Sequence, residues 1–395
     1  MVYKRHGDVD AKRVQDPRVI SVTWNDVRAR RLARSALATR APAAGLVDVV
    51  REVGGIHAQV QASAELQLAS RLDGLTQTDV RGALWERRLI VKAWTLRGTL
   101  HLHPASELSL WHAARRAVAG PPGELAAWRD PDGVLHPQVG REDVEAIRAA
   151  VWDALDGKCL LRDELADEVA SRVGGPHLKR LRSGFAFFLA ELCQGPPRGA
   201  KVTFVRPDQW IDGWHGVAEE DALAEVCSRF LRTYGPARPS DFREWFASPA
   251  FKAPQARGLF DKLGDELEEI DVEGHRAYVL PGDTAFPPLE PSLRLLPEYD
   301  VYIMGFRERD QLIPEAVRDQ IAAHGRGRYE GPAGVRLLVI DGVAAGIWER
   351  KRRSKQIELR VIPERKLTTS QRKKLNAEVE RLAAFTGLAP SFTVD

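Results

Sequence analysis

The stretch IVKAWTLRGTLHLHP, residues 90–104, decides the fold. Two runs rich in β-branched and aromatic residues flank Arg97-Gly98, which predicts a β-hairpin. On its N-terminal side the pattern is helical. Val27, Leu32 and Leu37 mark the apolar side of a helix from about Asn25 to Leu37, with Thr23 as its cap. Pro42 starts a second helix that runs to about Val53 and stops at Gly54-Gly55. A further helix is expected from Thr78, with Val80, Ala83 and Leu84 turned inward.

Helices followed by a hairpin is the order of a winged helix-turn-helix, and the order recurs. Arg141–Leu155, the run Cys159–Ala170 and His177–Cys193 read as three helices, with Lys201–Val205 as a wing strand. A third round starts near Glu219, with a helix capped at Ser240, a continuation over Phe251–Leu267 and a strand from His275. Beyond the Pro-rich connector Pro281–Pro291 the character turns to strands, with Asp341-Gly342 as a hairpin turn and Thr369–Thr386 as an amphipathic terminal helix. The expected fold class is α+β: tandem winged helix-turn-helix motifs followed by a β-rich C-terminal domain. The expected boundaries are a disordered basic arm over 1–20, winged helices over 21–135, 136–215 and 216–285, and the β-rich domain over 286–395.

Composition narrows the class. The chain has 395 residues, 44% apolar and 29% charged, as in ordinary globular proteins. No window approaches 18 uninterrupted apolar residues, so no membrane contact is expected. The first 20 residues lack the apolar run of a signal peptide. Cys159, Cys193 and Cys227 lie far apart, which suits a reducing cytoplasm and argues against a zinc cluster. The net charge of +3 is unevenly placed: residues 1–40 carry ten Lys/Arg against four Asp, and residues 350–374 carry eleven against two Glu. Cationic ends suit a polyanion such as DNA, although a solvated Arg-rich surface would show the same pattern.

Alternation makes Ile56–Ser63 an extended segment, with His57, Gln59, Gln61 and Ser63 on one face. Ser63 then caps the next helix, with Glu65 in its first turn. Two amides beside an imidazole form a hydrogen-bonding wall without fixed charge. That wall could hold a water or be a solvated edge strand. Arg30, Arg31 and Arg34, on one helix, and Arg350, Lys351, Arg352, Arg353 and Lys355 are candidates to track phosphates. Arg97, His101 and His103 are candidates for phosphate contact or a cleft floor, with structural roles equally open. The two histidines share a strand face, but no third metal ligand is evident. Gly325–Arg328 resembles a phosphate-binding loop only weakly. No GxxxxGK[ST], HExxH, GxSxG or EF-hand motif occurs, and no cofactor or metal is expected.

Several runs together resemble the AlkZ-type (YcaQ-like) DNA glycosylases, often described only as winged-helix DNA-binding proteins. They are Arg30–Ala33, Gly55–Gln61, Trp94–His101, Tyr234–Pro236, Leu296–Tyr302 and Asp341–Trp348, in order over about residues 24–390. The resemblance implies tandem winged helices in a C-shaped DNA-binding body. It also implies a catalytic Gln-aliphatic-Gln signature, which falls on Gln59, Val60 and Gln61. That branch excises bulky N7-alkylated purines and unhooks interstrand crosslinks, often as self-resistance to DNA-alkylating natural products. A second branch carries a carboxylate in place of the second glutamine.

Amides suit such a substrate. Ordinary glycosidases protonate the leaving group with a carboxylic acid. An N7-alkylated guanine is already cationic and leaves neutral, so what remains is to hold a water near C1′. The expectation is a monofunctional, metal-independent DNA glycosylase. It would be cytoplasmic and nucleoid-associated, monomeric, and partnered by double-stranded DNA containing alkylated purines. No Schiff-base lysine is evident near the motif. His57 shares the DNA-facing wall, and the hairpin at 90–104 is a candidate probe of the groove. The alternative is a non-enzymatic winged-helix regulator or an adduct-protecting DNA-binding protein.

Overall fold

The computed structural model describes residues 19–119, 123–130, 133–174, 190–324 and 334–395. Nearly all of the expected basic arm, most of the helix expected over His177–Cys193, and the Gly325–Arg328 loop lie outside the described residues. Helices and strands are mixed throughout.

The hairpin forms as expected. Ile90–Trp94 and Leu100–Pro104 pair antiparallel, with Lys92 opposite Leu102, and positive φ at Arg97 and Gly98 turns the chain. It is not, however, a projecting wing. Ile56–His57 adds to one edge opposite Leu102 and His101, and Cys193 pairs with Ala93 on the other. Lys201–Val205 and Leu160–Leu161 complete a six-stranded sheet. A probe of a DNA groove must be exposed, and this hairpin is an interior pair. The two runs are buried at nearly every position, polar Lys92, His101 and His103 included, as strands covered on both faces are.

Helices-then-hairpin order recurs further along. Arg141–Ala154 and Arg162–Val173 precede the pair Cys193–Arg198 and Lys201–Val205. Glu219–Tyr234, Pro239–Phe246 and Ala253–Leu263 precede Glu268–Val272 and His275–Val279. The helix expected to be capped by Ser240 starts two residues earlier, at Pro239 with Arg238 as N-cap, and the Asp241 carboxylate accepts from the Arg238 N–H at 2.8 Å.

The C-terminal sheet has five strands in the order Leu293–Leu296, Leu337–Ile340, Val343–Arg352, Gln356–Pro363 and Ala389–Val394. The last pair is parallel, and Thr369–Thr386 makes the crossover that parallel pairing needs. Positive φ at both Asp341 and Gly342 forms the tight turn between Ile340 and Val343.

The cores join segments distant in sequence. Val50, Leu68 and Ala83 of the N-terminal helices pack with Leu293, Trp348, Leu359 and Phe385. Val27 and Leu32 pack with Ile270, Val279 and Ile347. The short strand Ile20–Val22 pairs in parallel with Glu268–Val272. The N-terminal helices are therefore built onto the later parts of the chain.

Candidate active site

The extended segment expected over Ile56–Ser63 stops early. Only Ile56–His57 is strand, Val60 is the N-cap, and Gln61–Arg71 is helix. After Val60 the sequence is almost entirely strong helix formers, QASAELQLAS, and helix propensity overrides the short alternation. The Ser63 and Ala64 N–H groups donate to the Val60 carbonyl. Ser63 is buried and does not cap: its hydroxyl donates to the Glu298 carbonyl.

Gln59 and Gln61 are nevertheless gathered on one support. The Gln59 Oε1 accepts from the Leu100 N–H at 3.3 Å. The Gln61 Oε1 accepts from the Lys92 Nζ at 3.0 Å. Leu100 and Lys92 lie on the two strands of one hairpin, so both amides are tethered to it. Gln59 is exposed and Gln61 half-buried, while Val60 between them is 40% exposed. The motif is thus a surface edge backed by a rigid sheet.

Under Gln61 lies a charged network. Lys92 is 5% exposed, and burial pushes its pKa down to about 8 against the opposing pull of Glu65. Glu65 is buried and accepts from Gln61 Nε2 at 3.4 Å, from Arg81 Nε at 3.1 Å and from Gln77. Lys92 is a lysine beside the motif that the sequence did not make evident, since the hairpin brings it there from 31 positions along. The signal that could have found it is a lone charge inside an otherwise apolar strand run. Tyr299 also escaped sequence reading. It holds a positive φ of 60° and its ring sits 5.1 Å from that of His57.

His57, His101 and His103 form a file of rings leading inward to Trp111, with centroid spacings of 5.4, 5.9 and 4.3 Å. Arg97 donates to His101 Nε2 at 2.9 Å and to the Trp245 carbonyl at 2.7 Å. An arginine only donates, so His101 Nε2 accepts and its Nδ1–H donates to the Thr99 carbonyl. Burial, then the charges of Arg97 and Lys92, pushes the His57 pKa down to about 4; His101 and His103 are also pushed well below the usual range, mainly by burial. These groups form the neutral floor beneath the motif. His57, His101 and His103 are too buried to meet phosphate, one of the roles open to them, because Tyr299 and Trp111 pack against the file of rings.

Arg30 and Arg31 are also internal ties and not a cationic face, while Arg34 is half-buried and paired. Arg30 is 1% exposed and binds the Asp283 carboxylate and the Ala285 carbonyl. Arg31 donates to the Pro236 carbonyl and lies over the Phe306 ring. Arg34 shares Asp283. The helix looks cationic in isolation, but its arginine face is covered by the 234–236 loop and the Pro-rich connector.

The second basic run is different. Lys351, Arg352, Arg353 and Lys355 are exposed where Val343–Arg352 turns into Gln356–Pro363. Arg350 is half-buried beside Arg336 and Glu298 and within electrostatic reach of Glu65. The basic run therefore begins at the margin of the glutamine site. Among the described residues no group of three or more His, Cys, Asp or Glu is arranged to hold a metal, and no helix is long and apolar enough to cross a membrane.

The fold is one shared with a DNA glycosylase. The solved structure of the Streptomyces sahachiroi DNA glycosylase AlkZ matches with a TM-score of 0.74 at 28% identity, covering 95% of this chain and 100% of that one. Residues 50–385 match the family model described as DNA glycosylase AlkZ-like. The chain belongs to the AlkZ-like DNA glycosylase family. It is 33% identical over 350 residues to an interstrand DNA cross-link repair glycosylase of Streptomyces sahachiroi, covering 84% of this chain and 88% of the relative.

Proposed function

We propose that this glycosylase hydrolyses the N-glycosidic bond of cationic N7-alkylated purines in double-stranded DNA, bulky adducts and interstrand crosslinks included. The observation that carries this reading is the surface pair Gln59 and Gln61, both tethered to the hairpin 90–104. Each amide has one Oε1 lone pair taken by that support, and a carbonyl oxygen carries two. The remaining lone pairs can hold a water near C1′. Orientation of this kind contributes up to roughly 7–11 kcal/mol in well-aligned systems.

Selectivity follows from the same chemistry. A cationic purine departs without an acid, so a site lacking a free carboxylic acid cleaves it and leaves undamaged guanine alone. An exposed edge also suits a tethered base, which cannot swing fully into a closed pocket. Water is the nucleophile in this reading, because Gln61 holds the Lys92 amine. The later helices-then-hairpin units read as winged helices set against the duplex, and the exposed run Lys351–Lys355 as its phosphate contact. Resistance to a DNA-alkylating natural product in the cytoplasm is the setting we infer.

The test uses duplex carrying N7-methylguanine or a nitrogen-mustard crosslink, with EDTA present. Abasic sites and strand nicks are scored separately. The wild type should release the base, and Gln59→Ala and Gln61→Ala should each lose about 10²-fold, as expected for a misplaced reactant. Full activity in both variants removes the catalytic assignment. An inert wild type that binds the duplex indicates an adduct-protecting protein, and nicks without added base indicate lysine chemistry.

A further inference from the structure

Lys92 and Glu65 take no direct part in the hydrolysis outlined above, yet they grip the two ends of one catalytic amide. We propose that Lys92 and Glu65 are positioning residues that decide which way the Gln61 amide faces. The proposal rests on Gln61 being catalytic. An ammonium can only donate and a carboxylate can only accept. The Gln61 Oε1 meets Lys92 Nζ at 3.0 Å, and Nε2 meets Glu65 Oε1 at 3.4 Å. Flipping the amide would set N–H groups against the ammonium and a carbonyl against the carboxylate. Only one orientation therefore survives, and it fixes where the second Oε1 lone pair points.

The clamp is held from several sides. Lys92 is fixed in the strand Ile90–Trp94 opposite Leu102. Facing it are Glu65 from the helix Gln61–Arg71 and His57 from the strand Ile56–His57. Glu65 in turn accepts from Gln77 and Arg81 of the helix Gln77–Trp85 and is within reach of Arg350. Burial leaves the Lys92 amine titrating at about 8. A neutral amine can also accept, so above that pH the discrimination between the two amide orientations fades. Activity should fall along this limb through kcat, with KM little changed.

The experiment measures kcat and KM on N7-methylguanine duplex from pH 6.5 to 9 for the wild type, Lys92→Met, Gln61→Ala, the double variant and Glu65→Gln. Spontaneous depurination is subtracted. Lys92→Met should lower kcat about tenfold with KM unchanged and flatten the alkaline limb, while costing nothing further in the Gln61→Ala background, the non-additivity of groups acting as a unit. Additive losses, or a Lys92→Met enzyme with wild-type kcat and pH profile, overturn the proposal. Should Lys92→Met fail to fold by circular dichroism, Glu65→Gln carries the same double-variant test. Wild-type activity in Gln61→Ala would sink the catalytic reading itself, a result distinct from additivity.

Discussion

Arg71 and Asp300 form a two-pronged ion pair, Nη1 to Oδ2 at 2.8 Å and Nη2 to Oδ1 at 2.7 Å, with both side chains fully out of solvent. Arg71 ends the helix that Gln61 begins, and Asp300 caps the short helix Val301–Gly305. The pair therefore bolts the glutamine-bearing helix to the start of the C-terminal part. Gln67, one turn earlier, donates to the His57 carbonyl and accepts from the Val301 N–H.

Removing one partner leaves a buried charge unpaired. Asp300→Ala should cost about 3–5 kcal/mol in urea unfolding. The double change Arg71→Met with Asp300→Leu should recover most of that loss. A cost below about 1 kcal/mol for Asp300→Ala, the range of exposed pairs, would mean that the pair is dispensable.

Acid should unfold the protein early. His57, His101, His103 and His112 all have folded pKa values depressed by burial, His57 from 6.5 to about 4. Below pH 6.5 the unfolded chain binds protons that the folded one refuses. Stability is thus fully present above 6.5 and lost as pH falls toward the folded pKa values. His57 alone accounts for about 3 kcal/mol across 6.5 to 4. Denaturant midpoints at pH 7, 6, 5 and 4.5 should decline steadily, and more gently in His57→Gln. A flat profile would contradict the neutral histidine floor.

Gly55→Ala tests the packing behind the motif. A Cβ there would lie 2.3 Å from His103 Cε1 at a backbone φ of +96°. His103 cannot retreat, since it stacks on Trp111 and its Nε2 bonds the Thr95 hydroxyl at 2.9 Å. Strain and overpacking together should exceed about 2 kcal/mol, seen as a lowered melting temperature. An unchanged melting temperature would show that the ring file is soft.

The two arginine-rich segments should respond oppositely to charge reversal. Arg352→Glu with Arg353→Glu should weaken duplex binding and reduce the salt slope by up to about 2, near 0.9 per lost phosphate contact, at unchanged melting temperature. Arg30→Glu should instead destabilise the fold, since it sets a second carboxylate against Asp283. Equal salt slopes in wild type and Arg352→Glu/Arg353→Glu would remove the hairpin tip from the DNA interface.

Features set by neighbouring residues were legible in the sequence. Thr23 caps its helix with Asp26, Asp341-Gly342 turns its hairpin, Thr369–Thr386 is a helix, and residues 90–104 pair about Arg97-Gly98. Each depends on interactions within a few positions, which the local chain carries. The identity of Gln59 and Gln61 as a notable pair was legible too, though the local alternation points to a strand where helix propensity prevails from Gln61 onward. Tertiary structure alone decided what surrounds them. It buried Arg30, Arg31, His101 and His103 under segments up to hundreds of positions away, and it set Lys92 and Glu65 at opposite ends of the Gln61 amide. The physical reason is that a local pattern shows which face of an element is polar. Whether that face meets water or another part of the chain, and hence whether its charges bind a ligand or one another, depends on how distant strands and helices close over it.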